Sequence, residues 1–95
     1  MHTKSAKLTF YIAHAASLKD KRRVSRGLID KTRHKFNAAV AEAGTQDMHR
    51  ALTIGIAVVS GGLSHAVESL DEIIRFMEEA AETAGAELIE VELFK

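Results

Sequence analysis

The chain has 95 residues, 46% hydrophobic and 27% charged, with no cysteine and no proline. This is enough for one domain that buries roughly two thirds of its unfolded surface, and the missing cysteines exclude a disulfide framework, a thiolate nucleophile and a cysteine metal site, as suits a cytoplasmic protein. Formal net charge is zero, yet residues 1–50 carry eleven Lys/Arg against four Asp/Glu while residues 51–95 carry two against nine, so the molecule has a basic part and an acidic part.

The first strand is predicted over Lys7–Ala15, where Leu8, Phe10 and Ile12 alternate with Thr9, Tyr11 and Ala13. Lys4 and Lys7 before an apolar run ending in Ala13-His14-Ala15 imitate a signal peptide, but Thr9, Tyr11 and His14 interrupt that run. No apolar stretch approaches the ~20 residues of a membrane span. Ser17 can cap a helix running to Phe36, with Asp20 three residues on as the acid of a shortened capping box. Along it Val24, Leu28, Thr32 and Phe36, flanked by Ile29, recur at helical spacing; Lys19, Arg22, Arg23, Arg26, Asp30 and Arg33 fall on the opposite side. Asn37 is a candidate left-handed stop.

Ala38–Ala43 could extend this helix by propensity, but Asn37 before it and Gly44 after it favour a short strand. Arg50–Ser60 is the clearest strand: Leu52, Ile54, Ile56 and Val58 point one way, Ala51, Thr53, Gly55 and Ala57 the other. Ser60-Gly61-Gly62 breaks the chain, and Ser64 is a candidate cap for a second helix to about Ala84. Its apolar stripe is Ala66, Leu70, Ile73 or Ile74, Met77 and Ala81, its outer face acidic, and Gly85 its stop. The last strand, Glu87–Phe94, sets Ile89, Val91 and Leu93 on the helix side and Glu90 and Glu92 on the other. The order β-α-β-β-α-β with right-handed crossovers predicts an α+β ferredoxin-like sandwich. It is a single domain over residues 1–95, with two helices on one face of a four-stranded antiparallel sheet.

The basic helix is the main functional candidate. Eight Lys/Arg lie between Lys19 and Lys35 against only Asp20 and Asp30, more than local pairing neutralises. Lys19, Arg22, Arg23, Arg26, Arg33 and Lys35 would suit the phosphate backbone of RNA, because guanidinium forks bind phosphate oxygens and release counterions. The competing expectation is a solvated face whose arginines pair with the acids of the second helix. The same fold carries an RNA-recognition module that stacks bases on sheet aromatics. Here only Tyr11 could stack, and Glu90 and Glu92 would repel phosphate, so any nucleic acid belongs on the helical side.

The open sheet face, with Tyr11, Thr53 and Gly55, is a candidate interface for a second copy or, equally, a solvated face. The alternative self-association sets the basic helix of one copy against the acidic helix of another. Val59-Ser60-Gly61-Gly62 outlines a phosphate cradle but lacks the spacing of a nucleotide-binding fingerprint. The five histidines show no metal-ligand spacing and no nucleophile constellation stands out. The expectation is a non-catalytic domain with neither metal nor cofactor.

Ser17–Val24 (SLKDKRRV), then Phe36-Asn37, Val40-Ala41-Glu42, Gln46-Asp47, Gly55–Ser60 (GIAVVS) and His65-Ala66 resemble, in order and over nearly the whole chain, the YlxP-like bacterial family of unknown function. The resemblance implies a ferredoxin-like fold and a strand at Ala38–Ala43. Some members are encoded beside translation initiation and ribosome-maturation factors, which implies a ribosomal or RNA-linked role. Met48-His49 stands where members often carry a tryptophan, and Gly61-Gly62 replaces a more polar turn.

Overall fold

The computed structural model describes residues 1–45 and 47–94. The elements are β1 (His2–Tyr11), α1 (Leu18–Lys35), β2 (Ala39–Gly44), β3 (Ala51–Ser60), α2 (Leu63–Thr83) and β4 (Glu87–Phe94). The strands form one antiparallel sheet in the order β2-β3-β1-β4, which makes β1 and β2 parallel and runs the two helices antiparallel across one face. This is the ferredoxin-like sandwich that the order of elements predicts.

Alternation along β3 sets the core. Leu52, Ile54, Ile56 and Val58 are all buried, as are Ala6, Leu8 and Phe10 of β1 beside them. From α2, Ala66, Leu70, Ile73, Met77 and Ala81 close the same layer, and α1 adds Leu28. Thr32, fully buried on α1, satisfies its hydroxyl on the Leu28 carbonyl at 2.7 Å.

Several boundaries differ from the sequence reading, β2 and β3 by a single residue. β1 begins at His2 and ends at Tyr11, not Ala15, because a ten-residue ladder from His2–Ser60 to Tyr11–Ala51 recruits the polar start of the chain. Beyond it the Ile12 N–H turns to the Arg50 carbonyl at 2.9 Å. α1 does not stop on a left-handed Asn37: Phe36 is already extended at φ −123°, and Thr45 is the one non-glycine with positive φ among the described residues. α2 is capped by Gly62 rather than Ser64, which lies inside the helix. The turn before it is held by Ser60, whose hydroxyl accepts from the Gly62 N–H at 3.2 Å and meets His65 Nδ1 at 2.9 Å.

In β4 a bulge between the partners of Thr9 and Phe10 makes Ile89 an extra residue and gives the inward place opposite Phe10 to Leu88. Val91 and Leu93 keep the helix side, opposite Leu8 and Ala6, but β4 is an edge strand and they stay 43% and 63% exposed.

Other local signals hold. The Ser17 hydroxyl accepts from the Asp20 N–H at 3.2 Å, and the Asp20 carboxylate accepts from the Ala16 N–H at 2.9 Å, a capping box shifted by one residue. Ala39–Gly44 is a strand, and Gly85 ends α2 at φ 82°. Nothing lies within 4 Å of a Cβ built on Gly85, so Gly85→Ala meets only conformational strain. We expect it to lower stability by about 1 kcal/mol, read as a drop in thermal midpoint at unchanged circular dichroism.

Candidate nucleic-acid interface

α1 carries basic residues on two sides with opposite fates. Its inward side buries Lys21, only 2% exposed, whose ammonium donates to the Thr45 carbonyl and lies 3.4 Å from the Glu42 carboxylate. Ser25, also buried, donates to the other Glu42 oxygen at 3.1 Å. This network joins α1 to β2 and to the turn after it, where Thr45 stands at φ 57°. The left-handed backbone is over-determined: the Thr45 hydroxyl accepts from the Thr53 N–H at 3.0 Å while Lys21 holds its carbonyl. Sequence reading missed this role for Lys21, although the signal is in its spacing: it stands in line with Ser25, Leu28 and Thr32 on the buried stripe of α1.

The outward side presents Lys19, Arg22, Arg23 and Arg26, all exposed. Among the described residues the ion pairs are Lys7–Glu92 at 4.0 Å and Lys21–Glu42, so none of these four is neutralised by α2 or by Asp30. With Gly27 and Asp30 they line an open groove of about 610 Å³ along the helix. A second groove of about 420 Å³, between α1 and the edge strand β2, is reached by Arg22, Arg26 and Arg33.

The other two predicted contacts are partly engaged within the molecule. Arg33 donates to the Val40 carbonyl of β2. Lys35 lies over the rings of Phe76 and Phe36, 4.7 and 5.6 Å from their centroids. Both side chains remain exposed, but each would give up a contact to reach a ligand. Of the six predicted contacts, four are therefore unpartnered cations and two are tethered.

The open sheet face arranges its residues in rows: Phe94, Ser5, Ala57 and Ala39; then Glu92, Lys7, Gly55 and Ala41; then Glu90, Thr9 and Thr53. Of the predicted interface residues, Tyr11 is exposed and Gly55 half-buried, whereas Thr53 is only 5% exposed. The Thr53 hydroxyl is occupied by Thr9 and Thr45, each at 3.3 Å. Gly55 has an internal reason: a Cβ there would stand 3.2 Å from the Cβ of Ala43, the residue at the register shift in β2. Among the described residues no three His, Cys, Asp or Glu converge on a metal site, and no helix is long and apolar enough to cross a membrane.

Fold and surface together define a small ferredoxin-like α+β domain with a basic outer helix. The chain belongs to the family described as "Protein of unknown function (DUF503)", whose model matches residues 4–93. It is 33% identical over 67 residues to the uncharacterized protein YlxP of Bacillus subtilis (strain 168), covering 70% of this chain and 73% of that one. Among the solved structures that share the fold are two of different origin. One is a de novo designed protein with ferredoxin fold, at TM-score 0.65 and 16% identity over all of this chain and 87% of that chain. The other is a C-terminal segment of the alpha subunit of aIF2 from Pyrococcus abyssi, at TM-score 0.56 and 15% identity. That match covers 99% of this chain, which spans about half, 49%, of the archaeal chain.

Proposed function

We propose that this domain is a non-catalytic module of the cytoplasm that docks on structured RNA, in the setting of the ribosome, through the outer face of α1. The observation that carries this reading is the set of four cations, Lys19, Arg22, Arg23 and Arg26, that share one exposed helix face without an internal ion-pair partner among the described residues. Long cationic side chains left unpaired on one ridge match a polyanion better than they match self-satisfaction. The open sheet face supports base stacking less well: its two aromatics, Tyr11 beside Glu87 and Phe94 beside Ser5, lie at opposite ends, and the rows between them carry Glu90 and Glu92. The acidic α2 sets orientation by turning away from phosphate.

The test is fluorescence anisotropy of a labelled ribosomal RNA fragment across a salt series. Four to six phosphate contacts give a slope of log affinity against log salt of about −3 to −5. A salt-insensitive affinity would contradict the reading.

A second reading, pairing of two copies through the open sheet face, is favoured by the shallow depression that Ala39, Ala41, Gly55, Ala57 and Phe94 form there. Light scattering is expected to show a dimer that persists in 1 M salt, because screening to ~3 Å weakens charge pairing but not apolar contact. A monomer at every concentration would remove it.

A further inference from the structure

Two features of the α1 ridge have no structural explanation. The first is Gly27, in the interior of an 18-residue helix. Glycine there is less favourable than alanine, because it loses more backbone freedom on forming the helix. No close packing compensates, since nothing lies within 4 Å of where its Cβ would stand. The second is Asp30. Asp20, the other acid of the helix, is explained by its place in the cap. Asp30 is exposed on the ridge and makes no ion pair among the described residues, although Arg26 and Arg33 lie one turn away on either side. On a surface that binds only phosphate, an unpaired carboxylate lowers affinity by like-charge repulsion.

Both features fall in one place. Gly27 and Asp30 are three residues apart, hence neighbours on the helix surface, and line the same groove as Arg22, Arg23 and Arg26. The glycine leaves a notch in which a ligand can approach the helix backbone. Arginines wall it on the N-terminal side, and an acceptor-only carboxylate walls it on the other. A phosphate alone would use the arginines and be repelled by the acid. A ribose-phosphate unit uses both, because its 2′-hydroxyl is a donor that a carboxylate can accept.

We infer that the Gly27 notch is a ribose-phosphate subsite. Arg22 and Arg26 take the phosphate, the sugar lies over Gly27, and Asp30 accepts a hydrogen bond from the 2′-hydroxyl, so that the domain distinguishes RNA from DNA. This rests on the RNA-docking reading above and adds the chemical group that is read.

The experiment compares a labelled RNA hairpin, the DNA hairpin of the same sequence and the fully 2′-O-methylated RNA hairpin, each with wild type, Asp30→Ala, Gly27→Ala and Gly27→Met. Wild type is expected to prefer RNA by about tenfold over both other probes, the scale of one charge-assisted hydrogen bond. Asp30→Ala should bring the three probes together, with DNA bound more tightly than by wild type because the repulsion is gone. The Gly27 variants should unfold about 5 °C higher, as a helix-interior glycine replacement predicts, yet bind the RNA hairpin several-fold more weakly. Wild type binding all three probes equally, an RNA preference that survives Asp30→Ala, or stabilised Gly27 variants with undiminished binding would each overturn the subsite while leaving the docking reading intact. Wild type binding none of the probes would remove both.

Discussion

Replacing Arg22 and Arg26 together by glutamate is expected to abolish RNA binding while leaving the domain folded. Both side chains are exposed and neither forms an ion pair or hydrogen bond among the described residues, so the folded state loses no contact. Exposed substitutions of this kind stay within about 0.5 kcal/mol of wild type. The ligand loses two charge-assisted contacts and gains two repulsions, a loss of at least ~100-fold in affinity. Removing two phosphate contacts should also flatten the salt slope by about 2. Arg33→Gln and Lys35→Gln, whose side chains already serve β2 and the Phe36–Phe76 pair, should weaken binding less. Unaltered binding by a folded Arg22→Glu/Arg26→Glu variant would mean that the ridge is a solvated face.

The largest effect on stability is expected from Glu42. Glu42→Ala removes the only carboxylate beside the buried Lys21 ammonium among the described residues and leaves the Ser25 hydroxyl without its acceptor. Removing one partner of a buried pair costs about 3 kcal/mol, a large share of the ~5–15 kcal/mol that holds a domain together. Glu42 itself is 23% exposed, so water can solvate part of it. Lys21→Met therefore behaves differently. It takes the buried charge away, leaves a carboxylate that is partly wet and still bonded to Ser25, and should cost only about 1 kcal/mol. Urea unfolding at constant slope measures both. A cost for Lys21→Met exceeding that for Glu42→Ala would show that the Thr45 carbonyl, rather than the carboxylate, is the principal partner of the ammonium.

The sequence exposes its architecture where one face of an element is buried and the other is not. Alternation over Leu52–Val58 identifies β3, and the i, i+4 recurrence through Leu28 and Thr32 orients α1. Ser17 and Gly85 mark helix ends because each supplies a hydrogen bond or a backbone angle that few residues can. The start of β1 is hidden because Thr3, Lys4 and Ser5 owe their extended form to a ladder with residues more than fifty positions away. The β4 bulge is hidden for a similar reason: the hydrophobic count suggests Ile89 inside, while the register against Phe10 selects Leu88.

The site shows the same division. Spacing alone places Lys19, Arg22, Arg23 and Arg26 on one exposed face. The same spacing sets Lys21 apart, in line with Ser25, Leu28 and Thr32, but it does not reveal Glu42 as its partner, nor does it separate Arg33, whose engagement depends on the path of β2. Gly27 and Asp30 are visible as residues, but they become informative only when the structure shows that neither packing nor pairing accounts for them.

The place of β1 in the sheet has a consequence for how the molecule comes into being. β1, the first of these four strands along the chain, lies in the middle of the sheet, bonded on one side to β3 and on the other to β4, the last of the four. Its hydrogen bonds are thus all between segments distant in sequence, which delays productive closure until nearly the whole chain is available. A fragment ending after β2 would hold two parallel strands with no β3 between them. The basic helix would have no sheet to rest on, and Lys21 and Lys19 would be equally wet. The distinction between an anchoring lysine and a docking lysine arises only when the C-terminal half arrives.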